Sequence, residues 1–193
     1  ESLPMKITLI GVGLIGGSIA LKLKEKGLVS YVYGVDKNEN HLTEAKNLGI
    51  IDEIATLEHA VKNSNLIIIA IPVDSASKVL PQVLDLVNDQ QTVMDVGSTK
   101  SGIVNSVENH RNRSRFVAFH PMWGTENSGP KSAKSDSFSE KAAVIWDKEF
   151  SAENALKTVE KVAENLGIHV LYMKAEDHDI HTAYITHISH ITS

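Results

Sequence analysis

Six residues near the start of the chain, Gly11-Val12-Gly13-Leu14-Ile15-Gly16, leave it few folds to choose from. A β-rich apolar run, residues 6–10, leads directly into them. Directly after them, Leu14, Ile15, Ile19, Ala20 and Leu23 recur at helical spacing until Gly27 closes the run. A glycine pattern of this kind is weak alone, but strand before and helix after is the setting in which it binds a dinucleotide. Gly11 permits the tight turn, Gly13 lets a pyrophosphate reach the backbone, and Gly16 lets helix pack closely on strand. The helix N-terminus, from Gly13 through Leu14 and Ile15, then offers oriented N–H groups and positive potential to the phosphates.

The pattern continues as alternating strands and helices. Residues 31–35 read as a second strand ending at Asp36, which stands 20 residues beyond Gly16. A carboxylate there accepts hydrogen bonds from ribose hydroxyls and repels a 2′-phosphate, so NAD is expected over NADP, although Lys37 beside it weakens the preference. Residues 38–48 form a helix pattern closed by Gly49. Residues 66–71 are apolar throughout, as a parallel strand covered on both faces must be. Ile71-Pro72 then lies at the strand edge where such sheets bind ligands, and the proline also serves simply to stop the strand. Asp74 is expected to cap the next helix. Further strands are expected at 92–95, 116–118, 142–146 and 169–172, with helices at 103–109 and 152–166. The fold class is therefore α/β: a Rossmann-type, doubly wound, mostly parallel sheet. Between Phe119 and Lys141 the periodicity fails in a stretch rich in Gly, Ser and Pro, and ordered loops of that length usually carry function. The run His110-Arg111-Asn112-Arg113-Ser114-Arg115 reads as a solvated turn.

Bulk composition removes several classes of function. The 193 residues contain no cysteine, which excludes disulfide scaffolds and thiolate chemistry. A formal charge of −5 gives no reason to expect a nucleic-acid partner. No apolar run approaches the roughly 18 residues of a membrane span, no signal-peptide pattern opens the chain, and a cytoplasmic protein is expected. Glu1-Ser2-Leu3-Pro4 precede a Met5-Lys6 that reads as a native start.

Two motifs carry the chemistry. Asp95-Val96-Gly97-Ser98-Thr99-Lys100 ends a strand, and His120-Pro121-Met122-Trp123-Gly124-Thr125-Glu126 opens the irregular loop. Read from residue type alone, Ser98 either caps the next helix or binds a ligand, and His120 is one of nine histidines. His187 and His190 lie three apart on one expected helix face, beside His178, His181 and Asp177. A substrate-facing or partner-facing helix is the better reading of that cluster, and no metal site is assigned. Together with Gly11–Ser18 and the segment Thr186–His190, these motifs resemble the prephenate/arogenate dehydrogenase family of tyrosine biosynthesis, in the family's order and over nearly the whole chain.

The resemblance implies NAD-dependent oxidative decarboxylation of prephenate or arogenate, small molecules whose cyclohexadienol ring becomes aromatic. It implies His120 as the catalytic histidine, hydrogen-bonded to the 4-hydroxyl and taking its proton, with Ser98 helping to fix that hydroxyl. It places Thr125 and Glu126 near the substrate side chain and the site entrance, and His187 and His190 on a substrate-facing segment. This chain departs from that segment's usual pattern, with Thr186 for Ser, Ile188 for Leu and Ser189 for Pro. The implied organisation is a Rossmann domain over 5–173 followed by the first part, 174–193, of an all-α domain that completes the substrate site and forms a homodimer in the full-length protein. The family's substrate-carboxylate clamp would lie beyond residue 193, so the chain alone is expected to bind NAD with little turnover. Two rival readings stay open here: another Rossmann oxidoreductase of the β-hydroxyacid dehydrogenase type, and a non-catalytic NAD-binding module.

Overall fold

Apolar residues appear on both sides of the central strands because helices cover both faces of one sheet. A computed structural model describes residues 3–97, 101–122 and 141–174. In chain order the strands are β1 (Met5–Ile10), β2 (Val29–Val35), β3 (Glu53–Ile54), β4 (Leu66–Ile69), β5 (Thr92–Asp95), β6 (Phe116–Pro121), β7 (Ala142–Trp146) and β8 (His169–Met173). The helices are α1 (Leu14–Glu25), α2 (Glu39–Asn47), α3 (Leu57–Lys62), α4 (Val73–Leu86), α5 (Ser101–Asn105) and α6 (Glu153–Leu166). The strands lie in the order β3-β2-β1-β4-β5-β6-β7-β8. Pairing is parallel from β3 to β6, antiparallel between β6 and β7, and parallel again between β7 and β8.

Ile7 and Leu9 face one way and pack with Ile19 and Leu23 of α1, Leu42 of α2 and Val159 and Val162 of α6. Ile67 and Ile69 face the other way, onto Leu80 and Leu84 of α4 and Ile103 of α5. These side chains have essentially no solvent exposure, and burying each contributes about 1.5–3 kcal/mol. The chain leaves β1 toward β2 on one side and reaches β4 on the other side. The carboxyl ends of β1 and β4 therefore flank the topological switch point, where open α/β sheets bind ligands.

Helix ends follow local chemistry. The Asn38 side chain accepts a hydrogen bond from the His41 N–H at 3.0 Å and caps α2, and Thr56 caps α3 through the His59 N–H at 3.3 Å. Gly27, Gly49 and Gly167 follow α1, α2 and α6 with φ +75°, the left-handed conformation that ends helices.

Four expectations need correction. Asp74 does not cap α4: Pro72 occupies the cap position with extended backbone, so Asp74 falls inside the first turn, where its charge favours the helix dipole. The strand expected over 66–71 stops at Ile69, and β3 and α3 escaped the sequence reading. β6 is longer than expected and runs to Pro121, so His120 sits on a strand rather than at the start of a loop. Its register partner is Val144 of β7, a distant pairing with no local signature. The run 110–115 is not a solvated turn. Arg113 and Arg115 are only 8% and 5% exposed, at the amino edge of β6. The Arg113 Nη1 donates to the Phe116 carbonyl at 2.8 Å, and its guanidinium stacks on the Phe116 and Phe150 rings. Arg115 donates through Nε to the Gln91 carbonyl and through Nη1 to Asn154 Oδ1, at 2.8 and 2.9 Å. Burial lowers both guanidinium pKa values from their ordinary range, partly offset by Asp147 and Glu149 for Arg113 and by Asp89 for Arg115.

Candidate functional site

The glycine turn is shaped by what it touches. Gly11 has φ +94°, and a Cβ there would lie 2.4 Å from the Ala70 carbonyl oxygen and 2.6 Å from Ile71 Cγ2. A Cβ on Gly16 would lie 2.6 Å from the Gly11 oxygen and 2.9 Å from Leu9 Cδ1. The turn and the first turn of α1 are thus pressed onto the ends of β1 and β4 with no room for a side chain. Gly13 takes the cap position of α1 with extended backbone, and no side chain caps this helix. No acidic residue sits in its first turn either. The N–H groups of Leu14, Ile15 and Gly16 lack intrahelical acceptors by geometry, so α1 presents an anion-ready end at the switch point. α2 and α3, by contrast, have side-chain caps, and α4 and α6, which lack them, carry Asp74 and Glu153 in their first turns.

Two links tie the turn to β2. The Gly11 N–H donates to the Val35 carbonyl at 2.8 Å. The Val12 N–H donates to Asp36 Oδ2 at 3.0 Å, and the Asn38 N–H donates to Asp36 Oδ1 at 2.8 Å. Asp36 thus stands at the carboxyl end of β2, beside the glycine turn, partly exposed and with acceptor capacity left on both oxygens. Ile71 and Pro72 follow β4 on the same edge, Ile71 partly buried and Pro72 exposed.

His120 stands at that carboxyl edge too, three strands from β1, since β6 runs parallel to β5, β4 and β1. It is partly buried, with its ring centroid 6.5 Å from that of Trp146 and the planes inclined at 39°. Asp95 ends β5 opposite Ala118 and is 1% exposed, with Oδ2 accepting the Gly97 N–H at 3.1 Å. The structure thus brings Gly11, Gly13, Leu14, Ile15, Gly16, Asp36, Ile71, Pro72 and His120 to one edge of one sheet. Ser98, Thr125, Glu126, His187 and His190 lie outside the described residues. Among the described residues, no helix is long and apolar enough to cross a membrane.

Sequence reasoning assigned no role to Asp95 or Trp146. A carboxylate closing the run Thr92–Asp95 was a visible signal, because charge in a covered strand has to be held. Trp146 had none, as its approach to His120 depends on the antiparallel pairing of β7.

A family model, described as the nucleotide-binding domain of prephenate dehydrogenase, matches residues 19–172. The chain belongs to this family. Curated relatives agree: a prephenate dehydrogenase of Bacillus subtilis is 31% identical over 190 residues, covering 97% of this chain and 51% of the relative. A cyclohexadienyl dehydrogenase of Zymomonas mobilis is 26% identical, covering 96% and 64%. The chain thus spans about half to two thirds of the length of these relatives. Among solved structures, prephenate dehydrogenase of Aquifex aeolicus in complex with hydroxyphenyl propionate and NAD+ superposes with a TM-score of 0.83 at 30% identity, over 93% of this chain and 63% of that one. Synechocystis arogenate dehydrogenase gives 0.82 at 27% identity, over 95% and 64%.

Proposed function

We propose that this chain is the NAD-binding part of a dehydrogenase that oxidatively decarboxylates prephenate or arogenate to its aromatic product. The observation that carries the reading is the shared edge: an uncapped, glycine-cradled α1 terminus with Asp36 beside it, and a histidine on the same carboxyl edge three strands away. The α1 N–H groups and the close approach at Gly11 and Gly16 fit a pyrophosphate, and Asp36 fits ribose hydroxyls. Ile71 and Pro72 would line the same crevice. NAD, when bound, supplies the hydride acceptor. His120 then acts as the base that takes the proton of the substrate hydroxyl, a role suited to imidazole near neutral pH. Ser98 would orient that hydroxyl, and Thr125, Glu126, His187 and His190 would contact the substrate or the site entrance.

The same reading makes 5–173 the nucleotide domain and 174–193 the start of a helical domain that forms a homodimer in the full-length protein. It makes the protein a cytoplasmic enzyme of tyrosine biosynthesis, with a small-molecule substrate. Steady-state assay of the full-length protein with prephenate, arogenate and a plain β-hydroxy acid, each with NAD and NADP, tests it. Turnover of prephenate or arogenate with NAD is expected. Turnover of the hydroxy acid alone, or none despite NAD binding, would overturn it.

A further inference from the structure

The carboxylate of Asp36 is already engaged within the protein. Its Oδ2 holds the Val12 N–H at 3.0 Å, across 24 residues of sequence, and its Oδ1 holds the Asn38 N–H at 2.8 Å. Asn38 in turn caps α2 through the His41 N–H. One carboxylate therefore fastens the glycine turn to the end of β2 and to the start of α2. The neighbouring Gly11 amide is held by the Val35 carbonyl. The first two amides of the turn thus point into β2, and phosphate binding falls to the amides that follow, at the uncapped end of α1.

From this geometry we infer that Asp36 is a positioning residue for the phosphate-binding turn as well as a ribose acceptor, so nucleotide choice and turn geometry depend on one side chain. The inference rests on the reading of this edge as a dinucleotide site. A hydrogen bond to a charged acceptor is stronger than a neutral one and directional, so its loss releases Val12 from a fixed orientation. The α1 amides follow Val12 directly and shift with it. Replacing Asp36 with a shorter neutral residue therefore weakens binding through the phosphates, in addition to removing repulsion of a 2′-phosphate. It follows that Asp36→Ser alone does not convert the site to NADP with undiminished affinity.

The discriminating ligand keeps the adenine and pyrophosphate and lacks both ribose hydroxyls: dideoxyadenosine diphosphate. Its affinity is compared in the wild-type chain, Asp36→Ser and Asp36→Asn, alongside NADH, NADPH and hydrogen exchange at the Val12 amide in nucleotide-free protein. For Asp36→Ser, the dideoxy ligand is expected to bind about tenfold more weakly, and Val12 exchange to quicken by at least the same factor. Asp36→Asn keeps the side-chain shape and one acceptor, so both effects should be smaller. Unchanged dideoxy-ligand affinity in both variants would leave Asp36 a ribose contact only and overturn the inference. Unchanged Val12 protection in Asp36→Ser, or in Asp36→Ala should the serine variant fail to fold, would overturn it independently, because alanine offers the amide no acceptor. If the wild-type chain binds none of the nucleotides, the dinucleotide reading fails and the phosphate half of the inference with it. Val12 exchange would then still decide whether Asp36 holds the turn.

Discussion

Gly16→Ala separates close packing from backbone freedom, because Gly16 lies within a helix and its backbone conformation suits any residue. Only space opposes a methyl group there. The added Cβ would sit 2.6 Å from the Gly11 oxygen, 2.9 Å from Leu9 Cδ1 and 3.1 Å from Ala70 Cβ. Reaching an ordinary contact needs a shift of about 0.8 Å, taken by α1 or by the turn, since the strands beneath are held in a close-packed sheet. Overpacking of this kind costs about 1–3 kcal/mol, and the helix propensity of alanine over glycine returns about 1 kcal/mol. The net loss of roughly 0–2 kcal/mol should lower Tm by no more than about 8 °C in a chain of this size. Nucleotide affinity should suffer more, because the atom pushed is the carbonyl of the phosphate turn itself. A displacement approaching 1 Å in a positioned site can cost up to about a hundredfold, so a loss of at least tenfold in NAD affinity is expected. Gly27→Ala is the control. Nothing lies within 4 Å of its Cβ, but φ is +75°, so strain of about 1–2 kcal/mol lowers Tm comparably without touching the site. Calorimetric titration with NAD, paired with thermal melts, reads both. If Gly16→Ala binds NAD within twofold of wild type, or Gly27→Ala loses as much affinity, the close-approach argument is wrong.

Arg115→Ala should destabilise the chain by about 2–3 kcal/mol in urea denaturation, because it strips the buried Gln91 carbonyl and Asn154 of their donor. A loss below about 0.5 kcal/mol would show that the guanidinium is not holding that edge. In the full-length protein, His120→Ala should lower kcat by roughly a hundredfold or more with NAD affinity little changed, and near-normal turnover at neutral pH would remove His120 from the base role. Partial burial, together with the hydrogen bond the phenol donates to the Glu160 carboxylate and the charge of that group, pushes Tyr172 from 10.0 up to about 12. Because the folded pKa is the higher one, the stability linked to Tyr172 is fully present below about pH 10 and is lost as pH rises toward 12. Ultraviolet titration should show this tyrosine ionising late, and Glu160→Ala should bring it back toward 10; no change in that variant would exclude the contact.

Local chemistry in the sequence was enough to single out the residues proposed for the nucleotide half of the site. The strand before Gly11, the helix after Gly16, the stop at Gly49 and the carboxylate at Asp36 depend on neighbours a few residues away, or on a periodicity that burial of both sheet faces imposes. Alternation of strand and helix patterns gave a doubly wound, mostly parallel sheet but not the order of its strands, which the fold supplies. Tertiary structure alone decided the remainder. The two-residue β3 exists only because β2 offers it an edge. β6 extends to Pro121, and carries His120 on a strand, only because β7 returns antiparallel along it. Arg113 and Arg115 looked like a solvated run because charge patterning records side-chain type and not the carbonyls at Gln91 and Phe116 that wait for them. The bond from the Val12 amide to Asp36 was equally hidden: the motif names both residues, but only the folded sheet brings a backbone donor on one strand's exit to a carboxylate on the next. Local free energies are written in short sequence windows, whereas pairings between distant segments depend on which surfaces collapse together.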